Sequence, residues 1–384
     1  MQNYDVIKSL GLVMKSPTEE VLTQSGLKQL LDNGDFIKHY IGFEISGFIH
    51  LGTGLLCMQK IADFQEAGFE TTVFLADYHT WINKKLGGDL STIRKVGGTY
   101  FKEGLKQSLK AVGGDPSKTH FIMGSELYQK LGIEYLENVI KISKNISLSR
   151  AKRSITIAGR KEGESVSFGQ LLYVPLQVAD IYGLKVNLSH AGMDQRKAHV
   201  VAMDVAKTFN VNPAPIAVHH KLLSGIHITE LQRQKIIAAK TSGDRERLDQ
   251  ELIDIKMSKS NPNSAIFIHD NEEEITRKIL GAFCPAKEIT VNPILDMANL
   301  IILPNAIRKN TTFEITNKKT NETKTFESQN DLEKEYLNGG IHPSDLKSAV
   351  AMYLIDMLAP IREYFSKGSG QTYLEELQQL KITR

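Results

Sequence analysis

The stretch Tyr40-Ile41-Gly42-Phe43-Glu44-Ile45-Ser46-Gly47-Phe48-Ile49-His50-Leu51-Gly52-Thr53 reads as a buried strand that delivers a glycine-containing turn to the start of a helix. Residues 36–41 are apolar or aromatic apart from Lys38 and His39, as a buried strand requires. Gly42 and Gly47 let the backbone approach a ligand closely. Beyond them Leu55, Met58, Ile61 and Ala62 recur at helical spacing, with Gln65 on the flank, which predicts a helix from Gly54 to Ala67. Backbone N–H groups and the dipole at such a helix start favour anions, so His50 is placed to donate to a phosphate oxygen.

A second segment, Lys256-Met257-Ser258-Lys259-Ser260, carries two lysines and two serines around one apolar anchor. Asn261-Pro262-Asn263 follows and breaks regular structure, so the lysines are expected on a loop. Two ammonium groups on a loop can close over a leaving pyrophosphate and stabilise charge as it develops. Taken in this order, the two segments point to ATP-driven activation of a carboxylate.

Outward from them the chain alternates. Val73-Phe74-Leu75-Ala76 is a short strand ending in the polar turn Asp77-Tyr78-His79, residues 91–112 are amphipathic and helical, and Thr119–Met123 is another strand. The segment 126–182 is mostly helical, with a basic run at Lys141, Lys144, Arg150, Lys152, Arg153, Arg160 and Lys161. Lys185–Leu188 reads as a strand leading into Ala191-Gly192-Met193-Asp194-Gln195-Arg196-Lys197 and a further helix. Such alternation predicts a parallel α/β sheet with ligands at the carboxyl ends of its strands, where the turns 44–50, 77–79, 190–197 and 256–260 would gather. Residues 1–35 carry helical patterns, and Ser16-Pro17-Thr18-Glu19-Glu20 reads as a cap before an acidic first turn. Residues 226–255 form a charged helical excursion expected to be exposed. Past about 270 the pattern is helical, with one β-like patch at 312–315 and 324–326 and a core stripe of Leu346, Val350, Tyr353, Leu354, Met357 and Ile361. A boundary near 265–272 divides the chain into 1–265 and 266–384.

Bulk properties narrow the classes. The 384 residues are 41% hydrophobic and 24% charged, the balance of a water-soluble globular protein of two or three domains. Neither a charged, apolar leader nor a stretch of membrane-spanning length is visible, so no membrane partner is expected. Cys57 and Cys284 stand far apart without metal-ligand spacing, which argues against a disulfide framework or a resident metal and suits a reducing cytoplasm. A net charge of +3 means that any nucleic-acid surface must come from local clustering.

The combination of motifs resembles the tyrosyl-tRNA synthetases of the archaeal and eukaryotic type, which are class I aminoacyl-tRNA synthetases. The resemblance rests on the stretch 40–52, Leu75-Ala76-Asp77-x-His79, Tyr173-x-x-x-Gln177-x-x-Asp180-Ile181, residues 192–197 and 256–260, Phe283-Cys284-Pro285-Ala286, and His342-Pro343-x-Asp345-Leu346-Lys347. It implies a Rossmann-type parallel-sheet catalytic domain and a mainly α-helical C-terminal anticodon-binding domain. A helical insertion at about 105–175 would make a homodimer contact crossed by the acceptor stem. The substrates implied are tyrosine, tRNA(Tyr) and ATP with Mg²⁺, without a permanently bound cofactor.

Residue by residue, the resemblance assigns the tyrosine hydroxyl to Tyr40 and Asp180 and the α-amino group to Tyr173, Gln177 and Gln195, with Glu44 nearby. A buried phenol needs both a donor and an acceptor, which that first pair supplies. ATP falls to Gly42, His50, Gly52, Thr53, Lys256, Ser258 and Lys259, of which His50, Thr53, Lys256 and Lys259 would carry the catalysis. Arg153 and Arg196 match positions near the first base pair of the tRNA, and His342 and Asp345 match anticodon contacts, although Ser344-Asp345 also suits a helix N-cap. Three departures stand out: Thr53 occupies the place where this subfamily usually has His, the charged stretch before Lys256 is longer than in compact archaeal members, and an aliphatic, about Ile301, stands where some relatives stack an aromatic on the anticodon. Tryptophanyl-tRNA synthetases share both ATP motifs, but Tyr40 with Asp180 ill suits an indole. A small-molecule adenylyltransferase has no use for His342 and Asp345, and a catalytically silent RNA-binding paralogue would have lost His50 or a motif lysine.

Lys259→Ala is expected to slow adenylate formation while leaving tyrosine affinity nearly intact, because the loop acts on the transition state. Single-turnover rates and equilibrium tyrosine binding check this; equal losses in both would place the loop in the ground-state pocket.

Overall fold

The computed structural model describes residues 2–159, 165, 167–257 and 262–380. Ser258, Lys259, Arg160 and Lys161 lie outside them. Six strands form the main sheet: β1 (Thr18–Leu22), β2 (Lys38–Phe43), β3 (Glu70–Leu75), β4 (Thr119–Met123), β5 (Leu188–Gly192) and β6 (Ile216–His220). Their spatial order is β1-β6-β5-β2-β3-β4, with every neighbouring pair parallel except β1 and β6. From β2 the chain moves outward on one side to β3 and β4, then returns to build β5 and β6 on the other side. That reversal between β2 and β5 is where an open α/β sheet parts to form a crevice.

Several elements match their sequence patterns, and the differences have physical reasons. The helix after His50 begins with a wide turn over Gly52–Leu56 and continues as Cys57–Glu66. The pattern at 91–112 resolves into helices Leu90–Val96 and Lys102–Ala111, joined without a break by a wide turn at Gly97–Phe101. The strand expected at Lys185–Leu188 instead starts at Leu188, because Lys185 sits in the left-handed region (φ 54°) and ends the preceding helix. The helix expected to start around Ser16–Glu20 is in fact the edge strand β1, where Thr18, Val21 and Leu22 pair with β6. Capping occurs on either side of it, from Asp5 to helix Val6–Met14 and from Thr23 to helix Gln24–Asp32.

The charged excursion folds into helices Glu230–Ser242 and Arg245–Ile255. It is less exposed than its composition suggests: Ile228, Ile236 and Ile255 make a small core with Leu248, Phe283 and Val291. Arg233 donates to Glu288 and to the Thr290 carbonyl, tying the first helix to the chain beyond residue 282. After the sheet come helices Glu272–Gly281, Gln329–Leu337, Pro343–Phe365 and Gly368–Gln378, and the hairpin β7 (Phe313–Thr316) and β8 (Thr323–Phe326). In helix Pro343–Phe365 the expected stripe is buried, and Tyr353 at its edge donates to the Thr312 carbonyl at 2.9 Å. One apolar core runs continuously from Ile41, Leu55 and Ile61 to Leu354 and Ile361.

Histidines are concentrated inside the sheet. His39 Nε2 lies 3.4 Å from His190 Nδ1, and His190 Nε2 lies 2.8 Å from His220 Nδ1, across strands β2, β5 and β6. Burial holds these rings neutral, with His39 pushed down to about 3 and His220 to about 4.

Across the described residues burial lowers seven histidines (39, 79, 190, 199, 219, 220 and 269) and raises two carboxyls, Asp180 and Asp270. Below the ordinary histidine value of 6.5 the unfolded chain takes up protons that the folded rings refuse, so stability falls as the pH falls, down to about 4 for His79 and His220 and to about 3 for His39 and His269. The two carboxyls act in the opposite sense, because the folded state keeps their protons. Each displaced histidine contributes about 1.4 kcal/mol per pH unit within its window. Seven groups against two make the net sign clear: the urea midpoint should drop from pH 7 to pH 5, and a flat profile would mean that the rings are charged in the fold.

Candidate functional site

A cleft of about 470 Å³ lies over the carboxyl ends of β2, β5 and β6. Tyr40, Gly42, Glu44, His50, Gly52, Thr53, Tyr173, Gln177, Gln195 and Lys256 all line it, so residues scattered over two hundred positions of sequence meet on one wall or another. Their positions follow from local structure. Tyr173, Gln177 and Asp180 are spaced i, i+4, i+7 and therefore share one face of helix Tyr173–Gly183. Tyr40 and Gly42 alternate with Ile41 on β2, and a Cβ at Gly42 would strike the Tyr40 hydroxyl, so only glycine leaves that ring its place.

At the inner end, Asp180 is fully buried behind the lining residues. Its Oδ1 accepts from the Tyr135 hydroxyl at 2.7 Å, while Oδ2 makes no hydrogen bond of normal geometry within the described residues. The imidazole of His79 stands 3.9 Å from that second oxygen, and burial keeps its pKa at about 4, so it is neutral and gives little charge to offset the carboxyl. Burial pushes Asp180 well above the usual carboxylate range, against the opposing pull of Tyr135. Tyr40 is raised by burial and then by Asp180, which marks the two as electrostatic neighbours. Tyr173 is raised by burial and then by the Glu44 carboxylate, whose Oε1 accepts from Asn83. Gln177 Oε1 is buried with no hydrogen-bond partner among the described residues, and Gln195 is held by donating to the Ile157 carbonyl at 3.1 Å.

The other end is built for anions. His50 Nδ1 accepts from the backbone N–H of Gly52 (3.1 Å) and of Thr53 (3.4 Å), which fixes the neutral ring with its proton on Nε2. That Nε2 lies 3.3 Å from Thr53 Oγ1. Behind this turn, Leu51 N donates to Ile266 O and Ile268 N to Ile49 O, clamping residues 49–51 against the chain that follows the lysine loop. Lys256 pairs with Asp194 at 2.8 Å. Burial works to raise Asp194, but the Lys256 ammonium outweighs it and holds the carboxyl below its ordinary value; Asp194 in turn raises Lys256. Met257 N donates to Leu223 O and Ile226 N to Ser264 O, so both stems of the loop are pinned to residues 223–226.

Four site residues predicted from sequence lie elsewhere. Arg153 is exposed at the end of helix Leu148–Arg153, and Arg196 opens helix Arg196–Asp204 with its Nε on Glu20. His342 and Asp345 stand at the start of helix Pro343–Phe365, where the cap is His342, accepting from Ser344 N at 3.2 Å, rather than Ser344-Asp345. Asp345 is buried. Sequence reasoning missed Asp194, His79 and Tyr135 as site residues, together with the contribution of Gln250, Ile253 and Asp254 from helix Arg245–Ile255 to the cleft mouth. The first two stand inside quoted motifs; Tyr135 gives no local signal, since its role depends on helix Ile133–Ser143 packing against Tyr173–Gly183. Among the described residues no group of three or more His, Cys, Asp or Glu gathers as metal ligands.

The pattern that describes class I tRNA synthetases (W and Y) matches residues 32–359. The chain is 48% identical to the tyrosine–tRNA ligase of Thermococcus gammatolerans over 389 aligned positions, covering 99% of this chain and 100% of that protein. The tyrosyl-tRNA synthetase of Pyrococcus horikoshii, solved with L-tyrosine, superimposes with a TM-score of 0.88 at 46% identity, covering 97% of this chain and 99% of that one. A tryptophanyl-tRNA synthetase from Encephalitozoon cuniculi shares the fold at a TM-score of 0.61 and 16% identity, covering 98% of this chain and 95% of that one.

Proposed function

The chain belongs to the class I tRNA synthetases of the W and Y family, and on that premise we propose that its cleft activates tyrosine with ATP and passes it to tRNA(Tyr). The observation that carries this reading is the inner end of the cleft, where Tyr40 and a fully buried Asp180 with a spare oxygen await a hydroxyl. Phenylalanine offers nothing to that carboxyl and leaves it unpaired at a cost of about 1–3 kcal/mol. Tyr173, Gln177 and Gln195 surround the place of the α-amino group, with Glu44 on Tyr173 supplying negative charge.

The carboxylate of tyrosine attacks the α-phosphate; a P–O bond forms, the α–β bridge breaks and pyrophosphate leaves. A terminal adenosine hydroxyl of the tRNA then attacks the carbonyl of the adenylate and AMP departs. No protein nucleophile is needed, so the residues act by positioning and charge. The Nε2–H of His50 donates to phosphate, with Thr53 beside it, and Gly42 and Gly52 admit the nucleotide. Lys256, charged through Asp194, meets the pyrophosphate together with Ser258 and Lys259, and Mg²⁺ enters with ATP as part of the substrate.

For the tRNA, Arg153 and Arg196 are assigned to the acceptor stem. Residues 266–384 are assigned to the anticodon through His342, which is exposed, and Asp345, which is buried at the same helix start. Helix Ile133–Ser143, inside the 105–175 insertion, presents Ile133, Leu136 and Ile140 at i, i+3, i+7, exposed by 70%, 52% and 51%. An apolar stripe of that kind suits a homodimer seam. No helix among the described residues is long and apolar enough to cross a membrane, and a cytoplasmic setting fits the substrates.

ATP–pyrophosphate exchange measured across the amino acids tests the reading as a whole: tyrosine alone should support it, and no exchange at all would favour the silent paralogue. Asp180→Ala should cost tyrosine activation about 2–4 kcal/mol, from a lost hydrogen bond and an orphaned polar group, and should hurt phenylalanine less. Unchanged discrimination between the two amino acids would refute the pocket assignment. Replacing Arg153 and Arg196 together with Ala should leave exchange within a few-fold of wild type and lower aminoacylation at least about tenfold, since one good arginine–base contact is worth roughly 1–3 kcal/mol. Swapping the first base pair should then cost the wild type far more than the double variant.

A further inference from the structure

Arg196 is held from the side. Its Nε donates to both oxygens of Glu20, at 3.0 and 2.7 Å, and no other hydrogen bond is made by its guanidinium within the described residues. The two Nη groups, a planar fork of four N–H donors, are therefore presented end-on by a side chain that is 31% exposed. An end-on fork is the geometry for a guanine edge or a phosphate. A solvated surface ion pair would more simply spend that fork on the carboxylate.

Glu20 is itself fixed. It lies on edge strand β1, where the register against β6 shifts between Thr18 and Glu20, a bulge that re-aims the side chain. Its Oε2 also accepts from His219 Nδ1 at 3.0 Å, and His219 Nε2 lies 3.0 Å from His199 Nδ1. Burial keeps both rings neutral. The proton inventory then has one solution: His219 carries its proton on Nδ1 toward the carboxylate, and His199 donates from Nδ1 to the free nitrogen of His219. His199 is three residues beyond Arg196 on the same helix face. The first turn of helix Arg196–Asp204 is thus clamped at both ends, by Glu20 directly and by His199 through His219.

We infer that Glu20 is the positioning residue that aims the Arg196 fork at the acceptor end of the tRNA, with His219 and His199 as its buried backing. The inference rests on the acceptor-stem role proposed above for Arg196. It makes the amino-terminal edge strand part of tRNA recognition, although that strand lies outside the cleft lining.

The test compares wild type, Glu20→Ala, Glu20→Gln and Arg196→Ala for aminoacylation of tRNA(Tyr) carrying either its own or a swapped first base pair. Pyrophosphate exchange is measured alongside to register any damage to the cleft. In Glu20→Ala the preference for the native pair should fall by about tenfold, the worth of one arginine–base contact. Glu20→Gln keeps one oxygen for Nε and should retain an intermediate preference, which also covers the case of an unstable Ala variant. If Arg196→Ala loses the preference while both Glu20 variants keep it, the positioning role is overturned and the acceptor-stem reading survives. If Arg196→Ala keeps the preference, the acceptor-stem reading itself fails, and this inference with it.

Discussion

Everything at the site depends on where β2 and β5 stop pairing. β2 is in register with β3 along all six of its residues, from Lys38↔Glu70 to Phe43↔Leu75. Against β5 it pairs at only two positions, His39↔Leu188 and Tyr40↔Ser189. Past Tyr40 the two strands diverge, and the backbone from Ile41 to Glu44 faces Ala191 to Gln195 across open space. The cleft is the volume between them. Tyr40 stands at the last point of contact and so forms its floor, while the two lips carry the glycines and the histidine turn on one side and Asp194 and Gln195 on the other.

What could be read from the sequence was what is encoded locally. The strand-turn-helix at 40–67 and the strand Thr119–Met123 announce themselves by composition and period, and the helix-face spacing of Tyr173, Gln177 and Asp180 needs no tertiary information. Residues 16–22 misled because a Ser-Pro-Thr-Glu-Glu run offers both a cap and a charged edge strand, and only the presence of β6 alongside decides between them. The same limit hid Tyr135 and the clamp on Arg196, each a contact between residues far apart in sequence. Asp194 was visible as a letter in a motif but not as a partner, since its pairing with Lys256 spans 62 positions.

The cleft treats its charged groups in two contrasting ways. At the phosphate end Lys256 and Asp194 satisfy each other, so the lysine stays ionised although largely enclosed. At the amino-acid end Asp180 stays raised by burial, opposed by the phenols of Tyr135 and Tyr128 and flanked by a neutral imidazole. A polyanion can take Lys256 from its partner by offering more charge, whereas a small neutral hydroxyl gains most from a carboxyl that lacks a partner. The two ends are thus tuned to ligand groups of different electrical character, one highly charged and one neutral, within one cavity.

Helix Ile133–Ser143 has two faces with different obligations. One sends Tyr135 inward to Asp180, and the other sets Ile133, Leu136 and Ile140 outward along the proposed subunit seam. A rigid rod cannot shift one face and keep the other still. On that assignment, a substitution that resettles the seam also nudges the phenol that holds Asp180, which couples the choice of oligomeric partner to the choice of amino acid over evolutionary time.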